Sequence, residues 1–189
     1  MNARGSRAKG RNWDNAVAKM LSEWYFGVPD ALIRTHGSRG RKGFKDQVGD
    51  LGVSRSDLNK IWVLGVENKC RDRSTGPVRK GIQKPAWSID DILQQGRTAP
   101  LFDYWEQCTA EADRGEKIPL LVLKRKYHKP VAGIRYAEYK DVVVKLSLFV
   151  TPPVRIYDSD LVLLRFDDFL RTDPDAWISR WRRLYERAE

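Results

Sequence analysis

Cysteine is nearly missing from this 189-residue chain: Cys70 and Cys108 stand far apart, outside any Cys-x-x-Cys or histidine-rich spacing. A disulfide framework and a zinc-ligand pattern are therefore unsupported, and both residues read as reduced thiols that pack. Nowhere is there a run near the roughly 20 apolar residues that a bilayer span needs. The first residues, Met1-Asn2-Ala3-Arg4-Gly5-Ser6-Arg7, lack the apolar core of a secretory leader, so the expected location is cytoplasmic, in a bacterial, archaeal or phage-infected host cell. No internal repeat or low-complexity segment appears. Acidic residues are the scarcer charge, 25 against 35 Lys+Arg, and the net +10 with a pI near 9.7 favours a polyanionic partner, nucleic acid first. The length suits one domain with a real core.

Residues 1–11 carry Arg4, Arg7, Lys9 and Arg11 among small polar residues and read as a basic flexible arm. From Asn12 to Phe26, Trp13, Val17, Met20, Leu21 and Trp24 recur at helical spacing, and Gly27 with Pro29 closes the segment. A main domain over 12–150 and a strand-helix extension over 151–189 packed on it are expected. Asp30–Thr35 reads as a short strand. It leads into a glycine-rich cationic loop with Arg34, Ser38, Arg39, Arg41, Lys42 and Lys45, suited to lie along phosphates. Downstream of residue 70, Arg71 and Arg73 open a second basic loop, and Ser88–Asp91 resembles a capping box for a helix reaching Cys108 that Pro100 should kink or interrupt. Gln94 and Gln95 lie on that helix. Ile118–Leu123 reads as a buried strand with a cationic tip in which Lys124 and Arg125 are the favoured nucleic-acid contacts and Tyr127 is interleaved. Asp141–Val150, with its alternating valines and leucines, predicts a strand. Leu161–Phe166 predicts another, and Asp173-Pro174 opens a last helix with Trp177, Trp181, Leu184 and Tyr185 on one stripe.

The chemistry concentrates between Gly49 and Lys69. Val48–Val53 and Ile61–Lys69 predict two strands, and alternation puts Glu67 and Lys69 on one face and Asn68 on the other. If Asp50 lies on the neighbouring strand of a hairpin, two carboxylates and an ammonium converge. Such a trio suits hydrolysis of a phosphodiester: the acids hold a hard cation such as Mg2+, with Mn2+ an alternative, and the lysine steadies the attacking water and the growing phosphate charge. Asp14 falls in the first turn of the first helix, where an acid also suits the helix dipole.

The order Gly10-Arg11-Asn12-Trp13-Asp14, Gly37-Ser38-Arg39-Gly40, Gly49-Asp50 and Glu67-Asn68-Lys69 resembles the PD-(D/E)XK nuclease superfamily, and within it the archaeal and phage type of Holliday junction resolvase. The resemblance spans about residues 9 to 135. It implies an α/β restriction-endonuclease-like core, with a mixed central sheet flanked by helices and a C-terminal strand-helix extension. Carried over, Asp50 and Glu67 would be metal ligands, the Asn68 carbonyl a further ligand and Lys69 the catalytic lysine, with Ser38 in a loop near the scissile phosphate. Asp14 stands where the family has glutamate and would be a further catalytic and metal-binding acid, reaching the metal directly or through a water, and Gly49 stands where the family has proline. The implied activity is Mg2+-dependent hydrolysis of DNA, in paired nicks across four-way junctions by a homodimer. The alternatives are another PD-(D/E)XK endonuclease acting on duplex, flap or restriction sites, or a non-catalytic nucleic-acid-binding protein.

Overall fold

The computed structural model describes residues 3–35, 48–70, 99–125, 127–144, 152–156 and 159–186, with side chains from residue 8 onward. The first helix, α1, runs over Ala3–Phe26. It starts well before Asn12, so the stretch expected as a flexible arm is helical from Ala3. The alanines and long basic side chains there are good helix formers, and nothing stronger than Gly5 and Gly10 interrupts them. Gly27, at φ 71, stops the helix by accepting a left-handed backbone that other residues avoid.

Two short strands, β1 (Leu32–Arg34) and β2 (Leu51–Val53), pair antiparallel as a separate ribbon. The main sheet has five strands in the order β3-β4-β5-β7-β6: β3 Leu64–Cys70, β4 Ile118–Lys124, β5 Val131–Arg135, β6 Val154–Arg155 and β7 Leu161–Arg165. β3 and β4 are parallel and the remaining pairs antiparallel, which makes the sheet mixed. Between β3 and β4 the chain forms α2, Pro100–Arg114, a crossover helix of the kind that parallel neighbours require. Pro100, where a kink or an interruption is expected, is the first helical residue of α2, a position where its missing N–H costs nothing, and the expected capping box at Ser88–Asp91 lies outside the described residues.

Both faces of the sheet are covered. On one, Trp13, Val17 and Leu21 of α1 pack with Leu64, Val66, Leu120 and Val122 and with Trp177 of the last helix, α3 (Pro174–Tyr185). On the other, Leu101, Trp105 and Cys108 of α2 meet Leu121, Leu123, Leu161 and Leu163. Covered on both sides, β3 and β4 bury nearly every side chain, and their sequences read as continuous apolar runs. The architecture is the expected α/β core with a mixed sheet flanked by helices.

The segment expected as a strand from Asp141 is instead helical where it is described. A turn at Tyr136–Glu138 runs into a π-helical turn over Tyr139–Val143. Val142 and Val143 are consecutive and both buried, which alternation along a half-covered strand forbids. Arg180 of α3 fixes the turn by pairing with Asp141 at 2.7 Å and Glu138 at 3.5 Å. α3 opens as expected at Asp173, whose carboxylate accepts the N–H of Asp175 at 3.0 Å. Trp177 is its anchor: fully buried, 5.1 Å from the Phe169 ring, with its indole N–H on Thr172 Oγ1 at 2.8 Å. Trp177→Ala is expected to cost about 3–5 kcal/mol of unfolding free energy, read from urea denaturation. A loss below about 1 kcal/mol would mean that α3 is not part of the cooperative core.

Candidate active site

The expected hairpin between Asp50 and the Glu67 strand is absent, because β2 pairs with β1. Convergence is achieved by a parallel bridge between Gly49 and Val66 at the open edge of β3. The Asp50 N–H donates to the Val66 carbonyl at 2.7 Å, and the Asn68 N–H donates to Asp50 Oδ2 at 2.8 Å. Two main-chain bonds thus hold the aspartate against the strand. Gly49 makes this approach workable. Its φ is 82, and a Cβ there would run into the Val66 carbonyl. Proline, fixed near φ −65, could not take that backbone, so the family's usual residue is sterically excluded here.

Glu67 and Lys69 point toward α2. Lys69 Nζ forms an ion pair with Glu67 Oε1 and donates to Gln107 Oε1 at 3.2 Å, and Gln107 Nε2 in turn donates to Glu111 Oε1 at 3.1 Å. The Tyr104 ring lies 5.4 Å from the same ammonium. α2 comes this close because β3 has no side chain at Gly65, where a Cβ would sit 2.9 Å from that of Ala112. Gln107 and Glu111 were not singled out from the sequence. Their signal is the four-residue spacing that stacks both on one face of α2, whereas the glutamines considered, Gln94 and Gln95, lie outside the described residues.

Asn68 points the other way, toward α1, with Asp14. Asp14 does not join the other two acids freely: Arg34 Nε donates to its Oδ2 at 2.9 Å. Arg34, expected to contact nucleic acid, is therefore engaged with Asp14. The Asn68 side chain is buried beside Asp14 and opposes the rise of its carboxyl. Lys124 ends β4 beside Cys70 and holds its Nζ 4.6 Å from the centre of the Trp13 ring, while Arg125 is half-buried just beyond. Of the other expected contacts, Ser38, Arg39, Arg41, Lys42, Lys45, Arg71 and Arg73 lie outside the described residues.

Electrostatically the site is short of positive charge. Burial, reinforced by the Asp50 charge and opposed by Lys69, pushes Glu67 up to about 7. Asp50 is also raised by burial, with the Asn68 N–H opposing and Asp14 adding repulsion. Asp14 is raised by burial despite Arg34. Among the described residues no three His, Cys, Asp or Glu side chains form a complete metal cage. Mg2+ does not need one, since it commonly binds through one or two carboxylates and retains water. Two buried acids that a single lysine fails to neutralise fit that requirement. A strand residue turns its N–H and C=O to the same side, so the Asn68 carbonyl opens toward Asp50 and adds a neutral oxygen.

Comparison with known proteins points to a nuclease family. The family model described as "Phage putative PDDEXK endonuclease" matches residues 79–179, and the chain belongs to this family. The match begins downstream of Lys69, so it takes in α2 with Gln107 and Glu111 but not Asp50 or Glu67. No curated protein and no solved structure matches the chain. Among the described residues no helix is long and apolar enough to cross a membrane.

The raised Glu67 sets a pH dependence. An acid whose folded pKa lies near 7 against an ordinary 4.5 contributes stability fully below about pH 4.5 and loses it as pH climbs through 7. In metal-free protein the Tm should therefore fall more between pH 5 and 8 in the parent than in Glu67→Gln, and Mg2+ should restore the parent more at pH 8 than at pH 5. Parallel pH slopes for the two proteins, measured by scanning calorimetry, would contradict a buried, under-neutralised Glu67.

Proposed function

We propose that the protein is a divalent-metal-dependent endonuclease that hydrolyses DNA phosphodiesters at Asp50, Glu67 and Lys69. We further propose branched DNA as its substrate, foremost the four-way junction, nicked on two strands by a homodimer. The observation that carries the first part is the pair of buried carboxylates, one fixed by main-chain bonds and the other pushed up to about 7, sharing one lysine at the sheet edge. The second part rests on the order of motifs in the sequence and on the net charge of +10, which suits a substrate dense in phosphate. A twofold dimer is the commonest soluble assembly and would supply one site per strand.

Asp50, Glu67 and the Asn68 carbonyl would hold Mg2+ or Mn2+, which when bound supplies Lewis-acid polarisation of the phosphate and a more acidic water. The chain's own groups do the rest. The Asn68 N–H keeps the Asp50 carboxylate aimed along the strand edge, a charge-assisted bond of about 1.5–3 kcal/mol. Gln107 offers Lys69 a neutral second acceptor, so the ammonium is held near Glu67 without being fully neutralised and can donate to a phosphate oxygen as charge builds there. Lys124, opposite Cys70 at the end of the neighbouring strand, and Arg125 after it would contact the backbone of the substrate.

Cleavage of a four-way junction, a flap and a continuous duplex, each with Mg2+ or with EDTA, tests this reading. Asp50→Asn, Glu67→Gln and Lys69→Ala should each lower Mg2+-dependent cleavage by about a hundredfold or more while leaving DNA affinity within a few-fold. Retained cleavage in any of the three would overturn the assignment, and equal cutting of all three substrates would remove the junction preference. Gln107→Ala should lower turnover by about tenfold without weakening binding, as expected when the support of a catalytic group is removed. Unchanged turnover would leave Gln107 a surface residue.

A further inference from the structure

Arg34 is tied to the same short segment that carries Asp50. It ends β1 facing Leu51, the residue after Asp50. The next residue, Thr35, grips that segment twice: its N–H donates to the Asp50 carbonyl at 2.8 Å and its hydroxyl to the Gly49 carbonyl at 2.6 Å. Asp50 is thereby held by β1 on one side and by β3 on the other. Asp14 arrives from α1, and its Oδ2 accepts the Arg34 Nε–H at 2.9 Å in a pair that leaves only 14% of the Asp14 side chain and 32% of the Arg34 side chain exposed.

This pair belongs to the same cluster of charge as the proposed catalytic trio. The Asp14 charge opposes ionisation of Asp50, and the Lys69 charge favours ionisation of Asp14. Glu111 of α2 opposes ionisation of both Asp50 and Glu67. Among the described residues the cluster thus sets four acids, Asp14, Asp50, Glu67 and Glu111, against two cations, Arg34 and Lys69. Fully ionised it has an excess of two negative charges, which one divalent ion cancels. A second ion between Asp14 and Asp50 would have to take the carboxylate oxygen that Arg34 holds, at the distance of about 2.1 Å that Mg2+ demands. The guanidinium stays charged at any working pH, and breaking a hydrogen-bonded, largely buried pair strands both partners.

We propose that the Arg34 guanidinium takes the place of a second cation: it keeps Asp14 out of the coordination sphere and limits the site to one divalent ion, held at Asp50 and Glu67. The proposal rests on the metal-dependent reading above for the ion at Asp50 and Glu67. Asp14, expected from the sequence as a metal-binding acid, is then the seat of an internal cation.

The test counts Mn2+ bound to the full chain without DNA, from the loss of the free-ion signal in electron paramagnetic resonance. Arg34→Gln, similar in length but neutral, should take up one ion more per chain than the parent, and adding Asp14→Asn to it should restore the parent count. Arg34→Lys, which keeps the charge, should match the parent. Equal counts in the parent and Arg34→Gln, an extra ion in Arg34→Lys, or an extra ion that survives Asp14→Asn each overturn the proposal. A second measurement uses the parent fold alone: in proton–nitrogen NMR the Arg34 Nε–H signal, assigned by its loss in Arg34→Lys, should stay protected from solvent exchange when Mg2+ saturates the site. Loss of that protection would mean that Mg2+ takes Asp14 from Arg34, and would overturn the proposal as well. A parent that binds no Mn2+ would sink the metal-dependent reading above, whereas the difference of one ion between Arg34→Gln and the parent decides on Arg34 alone.

Discussion

The site depends on one stitch of main-chain hydrogen bonds at the edge of the sheet. Asp50 is not on a strand of the main sheet, yet its N–H bonds to Val66 and its carboxylate caps the N–H of Asn68. Without them the aspartate would be tied to Thr35, whose N–H donates to its carbonyl at 2.8 Å, and not to the main sheet. With them, it is registered to Glu67 as firmly as a neighbouring strand residue. The stitch in turn depends on the left-handed backbone at Gly49 and on the missing side chain there.

A second constraint is electrostatic. The parallel pair β3 and β4 is covered on both faces, so acids placed at its end are pulled out of water. Glu67 and Asp50 resist ionisation for that reason and because they repel one another, and Lys69 offsets only part of the cost. A carboxylate pair in that condition has a standing demand for a cation. Lys69 answers part of it, held in place by Gln107 of α2, whose approach the Gly65–Ala112 contact permits. The scaffold elsewhere is conventional packing: Arg135 grips Asp113 of α2 at 2.6 Å and Trp105 bonds Asp160 at 2.7 Å, so the helix that carries Gln107 is tied to the far strands.

Much of this was readable from residues alone, and the misses have physical causes. The buried runs 118–123 and 161–165, the first helix and the proline-led last helix follow from periodicity and capping, which are local properties. The hairpin at Asp50 was misjudged because strand pairing is a tertiary choice, and two short strands separated by a polar link do not announce which partner they take. Asp141–Val143 was misjudged because alternation of valines ignores Arg180, thirty-odd residues away in sequence, whose charge holds Asp141 in a helical turn. Pro100 reads from the sequence as a kink or an interruption, and it stands at the start of α2, because proline is as much a helix starter as a breaker. At the site, the alternation that sets Glu67 and Lys69 on one face was legible from the sequence, while the parallel bridge that brings up Asp50, the diversion of Asp14 to Arg34 and the arrival of Gln107 were not, since these depend on how segments dock.

Anomalous diffraction from crystals soaked in Mn2+ bears most directly on this account. It predicts one principal peak bounded by the Asp50 and Glu67 carboxylates and the Asn68 carbonyl, which disappears in Asp50→Asn. A peak elsewhere on the chain, or none at this edge while Mn2+ binds in solution, would contradict the claim that the stitched aspartate and its buried partner form a cation site.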